Sequence, residues 1–303
     1  MICKRNKEMK INAKVIILLT FGLIQLPFAL CFSTGLEINI MSSKSTYLIG
    51  EPIELGIELK NIGTLSLELH YPIPAVEEIS FIILNEKSEQ VPSNGLITCP
   101  STNKKPLLLE PGEKFFQILF LNEDFGRPFG KNLTSINLFE IGNYTIEVRI
   151  KNTDIDCVSN KLNFSVIAPV GEEAIVFNKI EEVFARLDMT NKDAIYSTNI
   201  NLLNLINEYP KSVYIPIILR WLSPVNRFFL NDTKTADKLR EELVKKYPYS
   251  VVSKNNIISK FKRLADTNTQ MDYLLEMKKR SINTLMEKFY DQKIDDLKEL
   301  AQP

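Results

Sequence analysis

Histidine is nearly absent from this sequence, since His70 is the only one in 303 residues. A serine–histidine–aspartate triad and a two-histidine metal site both need a histidine that is held among convergent partner groups. The composition argues against both kinds of site, and the position of His70 after the alternating stretch SLELH predicts an exposed or sheet-edge residue. A thiol nucleophile could still be built, but it would have to pair His70 with Cys99 or Cys157.

A net positive charge is also absent. The chain contains 37 basic and 37 acidic residues, and positions 1–33 hold five of the basic residues and one of the acidic residues. The remainder therefore carries a net charge of −4, and no basic field is available to attract nucleic acid. No apolar run after residue 33 approaches transmembrane length. We expect no nucleic-acid partner, and contact with a membrane only through the N-terminal segment, if that segment is retained.

The N-terminus holds the one long apolar run. A basic flank in residues 1–14 precedes an uncharged, mostly apolar stretch that ends near Ser33. This pattern predicts a secretory signal peptide at 1–33, with cleavage after Ser33 or after Ala29. An uncleaved anchor is the alternative, because about 19 apolar residues can just span a bilayer. A lipoprotein attached through Cys31 is a third option, although the residue before it is not small. We expect an exported protein, periplasmic or extracellular.

Two cysteines, Cys99 and Cys157, remain after the N-terminal segment is removed. Both lie near turn residues, in the stretches TCPST and DIDCVSN. Cysteines of exported chains often pair, so we favour a disulfide between them. The alternative is two separate thiols.

Apolar and polar residues alternate through the first half of the chain. Alternation predicts strands with one buried face, as in antiparallel sheets. The turn signals IGEP, KNIG, EPGE and EIGN separate the runs. About seven or eight short strands in roughly 130 residues predict a β-sandwich. The clearest runs are 36–40, 53–59, 65–69, 144–150 and 162–166.

Three stretches of this half resemble bacterial Ig-like domains. YLIGEPIELGIELKNIG, at 47–63, resembles their opening strands, and LLLEPGEKFFQILF, at 107–120, resembles their middle. FEIGNYTIEVRI, at 139–150, resembles the segment that carries the tyrosine corner. The resemblance covers residues 36–168 and implies an antiparallel Ig-like β-sandwich.

The tyrosine corner is the most specific part of this resemblance. Glu140, Gly142 and Tyr144 stand at its positions, which implies that the Tyr144 hydroxyl bonds to backbone upstream. Ile146 stands where an antibody-type domain carries its second core cysteine. A disulfide in this chain would therefore be peripheral.

The apolar spacing becomes helical after residue 168. Pro169 and Gly171 mark a linker at 169–171, and a helical domain is predicted over 172–303. A second helix is predicted to begin at Thr190, where T-N-K-D forms a variant capping box. One irregular final helix is predicted from about Thr269 to Leu300. Its charged stretches MKKR, MEK and DQKIDDLKE are typical of a solvated helix face, and docking on a partner is the alternative.

Two similar stretches punctuate this half, EYPKSVYIP at 208–216 and KYPYSVVSK at 246–254. Each tyrosine is predicted to end a helix, because the proline after it cannot continue one without losing a hydrogen bond. Ser212 and Ser250 are predicted to cap the helices that follow. Upstream, Leu205 matches Leu243.

A helix–turn–helix that recurs about every 38 residues is typical of an α-solenoid. The YPxS phrase resembles the tetratricopeptide-like repeats of bacterial envelope proteins, and the resemblance covers residues 172–265. It implies a TPR-like helical domain that binds protein partners. Pro224 departs from the pattern and is predicted to kink or end its helix.

Candidate partner-binding residues lie in a β-half loop and beside Pro224. The loop 121–136 also allows a second function, because LEPGE followed by a strand and G-x-Y resembles a small bacterial family of proteinase inhibitors. Arg127 and Lys131 would then enter a protease cleft. The aromatic residues of both regions have an alternative role as loop anchors or helix core. The candidates are Phe125, Arg127, Phe129, Lys131, Trp221, Phe228 and Phe229.

Carboxylate pairs are the remaining source of chemistry. Glu77 with Glu78, and Asp154 with Asp156, could serve a glycosidase-type hydrolase or, for the second pair, calcium. Both pairs lie in polar loops, where acidic clusters usually face water. We therefore predict an exported, non-catalytic interaction protein of the cell envelope or secreted space, with no cofactor and no metal. A protease inhibitor and a carboxylate-based hydrolase are the alternatives.

Overall fold

The computed structural model describes residues 35–70, 78–93, 106–128, 137–152 and 154–300. A β half precedes an α-helical half, which confirms the predicted combination of β and α structure. The strands are β1 (Leu36–Met41), β2 (Thr46–Leu48), β3 (Glu54–Asn61), β4 (Leu67–Leu69), β5 (Ile79–Asn85), β6 (Leu107–Leu109), β7 (Lys114–Phe120), β8 (Arg127–Pro128), β9 (Asn137–Leu138), β10 (Gly142–Lys151), β11 (Asp156–Val158) and β12 (Leu162–Ile167). The helices are α1 (Gly171–Ala185), α2 (Lys192–Glu208), α3 (Ile215–Pro224), α4 (Thr233–Lys246), α5 (Lys254–Phe261), α6 (Thr267–Lys279) and α7 (Leu285–Leu300).

Two sheets share one apolar core in the β half. β1, β3 and β7 form an antiparallel sheet in that order. The second sheet is built around β10, which pairs with β5, β11 and β12, and β2 joins β12 in parallel. Alternate residues such as Leu55, Ile57 and Ile83 are buried in this core, as the period of two predicts. Leu65 is an exception, because it precedes β4 and is exposed.

The hydrogen bond that the tyrosine corner implies is present. The Tyr144 hydroxyl donates to the backbone carbonyl of Glu140 at 2.8 Å. The Tyr144 ring stacks on Phe164 of the neighbouring strand, with 5.2 Å between ring centroids. The corner therefore fixes the start of β10 to the loop before it.

Strand β7 is buried on both faces and joins the two halves. Phe116, Ile118 and Phe120 belong to the same apolar cluster as the helices, whereas Leu119 belongs to the core between the sheets. The near-continuous apolar sequence FFQILF is typical of a strand that is covered on both sides. The helical half thus packs on the outer face of the three-stranded sheet.

Helical side chains also satisfy the backbone edge of β7. The Phe116 amide donates to the side-chain oxygen of Gln292 at 2.5 Å, and the Lys254 ammonium donates to the Ile118 carbonyl at 2.5 Å. An uncovered strand edge would instead present unpaired backbone groups. Residues Thr34–Pro303 accordingly form one compact unit. Separate domains at 36–168 and 172–303 stay a prediction.

The helices that precede the two repeated stretches end in the same backbone conformation. Tyr209 ends α2 with φ −127° and ψ 57°, and Tyr247 ends α4 with φ −128° and ψ 48°. Leu205 and Leu243, one turn upstream, are 3% and 0% exposed. The predicted equivalence of these two leucines is confirmed.

Tyrosine hydroxyls connect successive units of the helical half. The Tyr247 hydroxyl donates to the Pro210 carbonyl at 2.6 Å, and the Tyr290 hydroxyl donates to the Pro248 carbonyl at 2.8 Å. Carbonyls at a helix end lack intrahelical partners. In each Tyr-Pro pair the tyrosine therefore ends its helix, and the proline carbonyl accepts a hydrogen bond from a tyrosine farther along the chain.

The two serines of the repeat open turns. Each hydroxyl accepts a hydrogen bond from the amide two residues ahead, at 3.3 Å. Ser250 caps the 3₁₀ helix Val251–Ser253, as its position predicts. Ser212 caps a turn only, because α3 begins at Ile215 with Tyr214 in the cap position.

The start of α2 differs from the prediction, whereas the end of α3 agrees with it. The cap of α2 is Asn191, whose side chain accepts two amide hydrogen bonds, and not the predicted Thr190. The hydroxyl and amide of Thr190 bind the Asp188 carboxylate instead. Pro224 ends α3, as predicted, and a π-helical turn follows at Val225–Phe229.

The single final helix predicted from about Thr269 to Leu300 is wrong. Two helices, α6 and α7, occupy this segment. Between them Asn283 has φ 63°, a left-handed conformation that a continuous right-handed helix does not contain. None of the helices in the described part of the chain combines the length and apolar character needed to cross a bilayer. The predicted signal, 1–33, lies outside the described residues.

Candidate functional site

The loop proposed from the sequence is only partly described. Phe125 is 3% exposed and packs on Phe81, with 5.9 Å between ring centroids, so it is a loop anchor and not a surface contact. Arg127 lies in the short strand β8. Phe129 and Lys131 lie outside the described residues, and the inhibitor hypothesis stays a prediction.

The aromatic residues around Pro224 divide into core and surface. Trp221 is buried against Phe184 of α1, with ring centroids 5.1 Å apart, and is a core residue. Phe228 and Phe229 lie on the π-helical turn and are 70% and 44% exposed. These two remain candidate contacts, whereas the patch that would include Trp221 is not formed.

Of the predicted cysteine and aspartate pairs, the structure describes Cys157, Asp154 and Asp156. Cys157 is buried, and its sulfur lies 3.1 Å from the Leu36 carbonyl oxygen. Cys99 lies outside the described residues, so the disulfide stays a prediction. Asp156 forms two hydrogen bonds with Arg149, at 2.8 and 2.7 Å. Asp154 is exposed.

Of the other predicted carboxylate pair, Glu78 lies near His70, the only histidine in the sequence. Glu78 binds the Nδ1 atom of His70 at 2.7 Å in an exposed position, and Glu77 lies outside the described residues. Within the described ranges, no three histidine, cysteine, aspartate or glutamate side chains group closely enough to hold a metal.

A cleft of about 220 Å³ lies where the β half meets both repeated stretches, and Glu51 and Glu54 line it. Glu54 accepts hydrogen bonds from the Val251 amide at 3.0 Å and the Ser43 hydroxyl at 3.2 Å. Glu51 pairs with Lys44 and accepts from a β2 amide. Burial raises the pKa of Glu54. The cleft is smaller than the roughly 300–1,000 Å³ of ligand pockets, and its carboxylates hold backbone groups.

Glu54 replaces a carboxylate of the helical repeat. At the first repeated stretch, Glu173 of α1 accepts from the Ser212 hydroxyl at 2.6 Å and the Val213 amide at 3.2 Å. At the second stretch, α3 has no acidic residue in its first turn, and Glu54 of β3 binds the Val251 amide instead. At the second repeated stretch, the β half thus supplies through Glu54 the acceptor that α1 supplies through Glu173 at the first.

A second feature of the junction is a group of partly buried cations. Burial, together with the neighbouring charges of Arg220 and Lys293, lowers the pKa of Lys254 to about 8. Arg220 pairs with Glu123 of the β half. Lys293 extends from this group to the surface of α7, where it borders the groove described next.

The last three helices form a groove of about 590 Å³, which we call the terminal groove. Its volume lies within the roughly 300–1,000 Å³ of binding pockets, and its lining is mostly apolar with a few charged groups, as in such pockets. The apolar residues are Ile257, Ile258, Phe261, Leu274, Phe289, Leu297 and Leu300. The charged residues are Lys262, Lys293 and Asp296.

The sequence signals for the groove are two pairs of apolar residues, each spaced by three positions. Ile258 and Phe261 lie on one face of α5, and Leu297 and Leu300 lie on one face of α7. Charged residues surround both pairs in the sequence, and this charged pattern is typical of a solvated helix face. Leu300, which is 83% exposed, is an apolar residue on this charged surface, and the docking alternative stays a prediction.

Comparisons with known proteins identify no family. No family model matches the chain, and no curated protein matches it significantly. Among solved structures, Spo0M, a sporulation control protein from Bacillus subtilis, is 13% identical with TM-score 0.26, and the match covers 49% of this chain and 54% of that one. A β-glucosidase, EmGH1, from Erythrobacter marinus is 13% identical with TM-score 0.26, covering 44% of this chain and 15% of that one.

A third structure, α-2-macroglobulin from E. coli, is 9% identical with TM-score 0.27, and the match covers 88% of this chain and 22% of that one. The chain thus spans less than two thirds of each of these proteins. The scores are too low for a fold or a function to be carried over.

Proposed function

We propose that this protein is an exported, non-catalytic protein–protein interaction module of the envelope or secreted space, in which the terminal groove receives an apolar segment of a protein partner. The groove carries the proposal, because seven apolar side chains line it at the end of the helical half. An apolar surface with a polar rim is typical of protein contact sites. Leu300 on its rim would lose most of its solvent exposure when a partner binds.

The finer fold assignment belongs to the same proposal. The Tyr144 bond to Glu140 supports an Ig-like β-sandwich, and the matching Tyr209 and Tyr247 helix ends support a tetratricopeptide-like domain. The shared cluster around β7 supports a role for the β half as a brace. The β half contacts α5 through Lys254 and α7 through Gln292, and the terminal groove between these helices is lined by helical-half residues alone, so the brace leaves it available for binding.

A pair of matched arginine variants tests the proposal. Leu300→Arg places a charge in the groove, and Ile175→Arg places one on α1, at an apolar position that is 50% exposed and outside the groove lining. Both sites are exposed, so both variants should keep the wild-type melting temperature. A partner is recovered from the native envelope or medium, identified by mass spectrometry, purified and titrated against each variant.

We expect the purified partner to bind wild type and Ile175→Arg equally, and Leu300→Arg at least about tenfold more weakly. Equal binding by all three proteins would show that the terminal groove is not the contact site. Cleavage or covalent change of the partner by the protein would overturn the non-catalytic part of the proposal.

A further inference from the structure

The two walls of the terminal groove have the same apolar spacing. The α5 wall carries Ile258 and Phe261, and the α7 wall carries Leu297 and Leu300. Positions i and i+3 lie on one face of a helix, so each wall presents a short apolar ridge. Two such ridges can pack against each other as facing helices do, at axis distances of about 8–10 Å.

The walls differ in the charge beside each ridge. Lys262 follows Phe261 on the α5 wall, and within the described part of the chain it has no ion-pair partner. Asp296 lies on the α7 wall, where it pairs with Lys293 of its own helix at 2.6 Å and is 45% exposed. One wall thus carries an unpaired cation, and the other carries a carboxylate with further acceptor capacity.

A two-fold axis brings unlike walls together. In an isologous contact, the α5 wall of one copy faces the α7 wall of the other, and the reverse contact forms at the same time. Lys262 of each copy would then face Asp296 of its partner copy. Leu300, which is 83% exposed on the rim, would enter the groove of the other copy. In this arrangement an apolar ridge meets an apolar ridge, and the Lys262 cation meets the Asp296 carboxylate.

We propose that the occupant of the terminal groove is the end of α7 from a second copy of this protein, which gives a two-fold homodimer. This inference rests on the proposed function, because it identifies the partner at the same site. It commits to one source for the apolar segment: a second copy of the chain.

Charge reversal on both walls provides the test. Sedimentation velocity of the mature protein over a concentration series should show a monomer–dimer equilibrium. Lys262→Glu places two carboxylates opposite each other, and Asp296→Lys places two cations opposite each other. Each variant alone should dimerise at least about tenfold more weakly. Both positions are exposed or half-buried, and circular dichroism should show that both variants remain folded.

The equimolar mixture of the two variants decides the question. In a heterodimer of Lys262→Glu with Asp296→Lys, both contacts again pair opposite charges, so dimerisation should return. Ile175→Arg should dimerise like wild type. Wild type that stays monomeric, or a mixture that stays monomeric, would overturn the homodimer.

The partner titration separates this failure from failure of the proposed function. If wild type is monomeric but Leu300→Arg still weakens binding of a purified, different partner, the homodimer is refuted and the interaction function stands. If wild type is monomeric and no partner depends on Leu300, both proposals are refuted.

Discussion

Ile118→Ala tests whether strand β7 supports the helical half. Ile118 is fully buried and belongs to the apolar cluster of the helices, although it lies on a strand. Truncation of a buried isoleucine to alanine costs about 2–5 kcal/mol, through lost transfer free energy and the cavity that remains. For a chain of this size, that loss lowers the melting temperature by roughly 4–20 °C.

Trp221 provides the assay, because it is the only tryptophan and lies buried in the helical half. Its fluorescence should therefore report unfolding of the helices. Ile83→Ala is the matched control, since Ile83 is equally buried but belongs only to the core between the sheets. We expect Ile118→Ala to shift the Trp221 transition to lower temperature in the folded, full-length protein.

An unchanged Trp221 transition in Ile118→Ala would refute the reasoning. The control answers a separate question about the predicted domains at 36–168 and 172–303. If Ile83→Ala leaves the Trp221 transition unchanged, the two halves unfold independently. An equal shift in both variants would mean that they unfold as one cooperative unit.

Three further outcomes are expected. The pKa of Lys254 is lowered from 10.5 to about 8 in the folded protein, so between these pH values the unfolded chain binds one more proton than the folded chain. The free energy of unfolding of wild type should therefore rise with pH across this window. Denaturant titrations at several pH values should show that Lys254→Met removes this rise. If Cys99 and Cys157 pair, thiol counting on denatured, non-reduced mature protein should find no free thiol, whereas two free thiols would contradict the disulfide. In the loop-entropy model this disulfide stabilises the protein by about 4 kcal/mol. Mass spectrometry should find a mature N-terminus just after Ser33, and an intact 1–33 segment on membrane-bound protein would indicate an anchor instead.

Several features could be predicted from local sequence because their causes are local. The alternation at 53–59 sets which side chains share a strand face, whatever the strand packs against. The proline after Tyr209 and after Tyr247 ends a helix through its missing amide and its ring. The Tyr144 hydroxyl reaches only four residues upstream. These features required no knowledge of distant contacts.

Local sequence leaves the structure undecided where two structures satisfy the same pattern. Phe125 is apolar in a polar loop, which fits either an anchor or an exposed contact, and its contact with Phe81 decided for the anchor. The charged segment after Thr269 fits one long helix as well as two. The left-handed Asn283 between α6 and α7 decided for two.

Local sequence patterns were enough to establish the order of a β half and an α half, the period of each, and the equivalence of Leu205 with Leu243. Tertiary structure decided what each apolar face packs against. Glu54 meets the Val251 amide from a position 197 residues away, and the terminal groove exists only where α5 and α7 approach each other. The physical reason is that hydrophobic burial is non-directional. A pattern of apolar residues therefore fixes that a face will be covered, whereas the identity of the covering surface follows from packing of the whole chain.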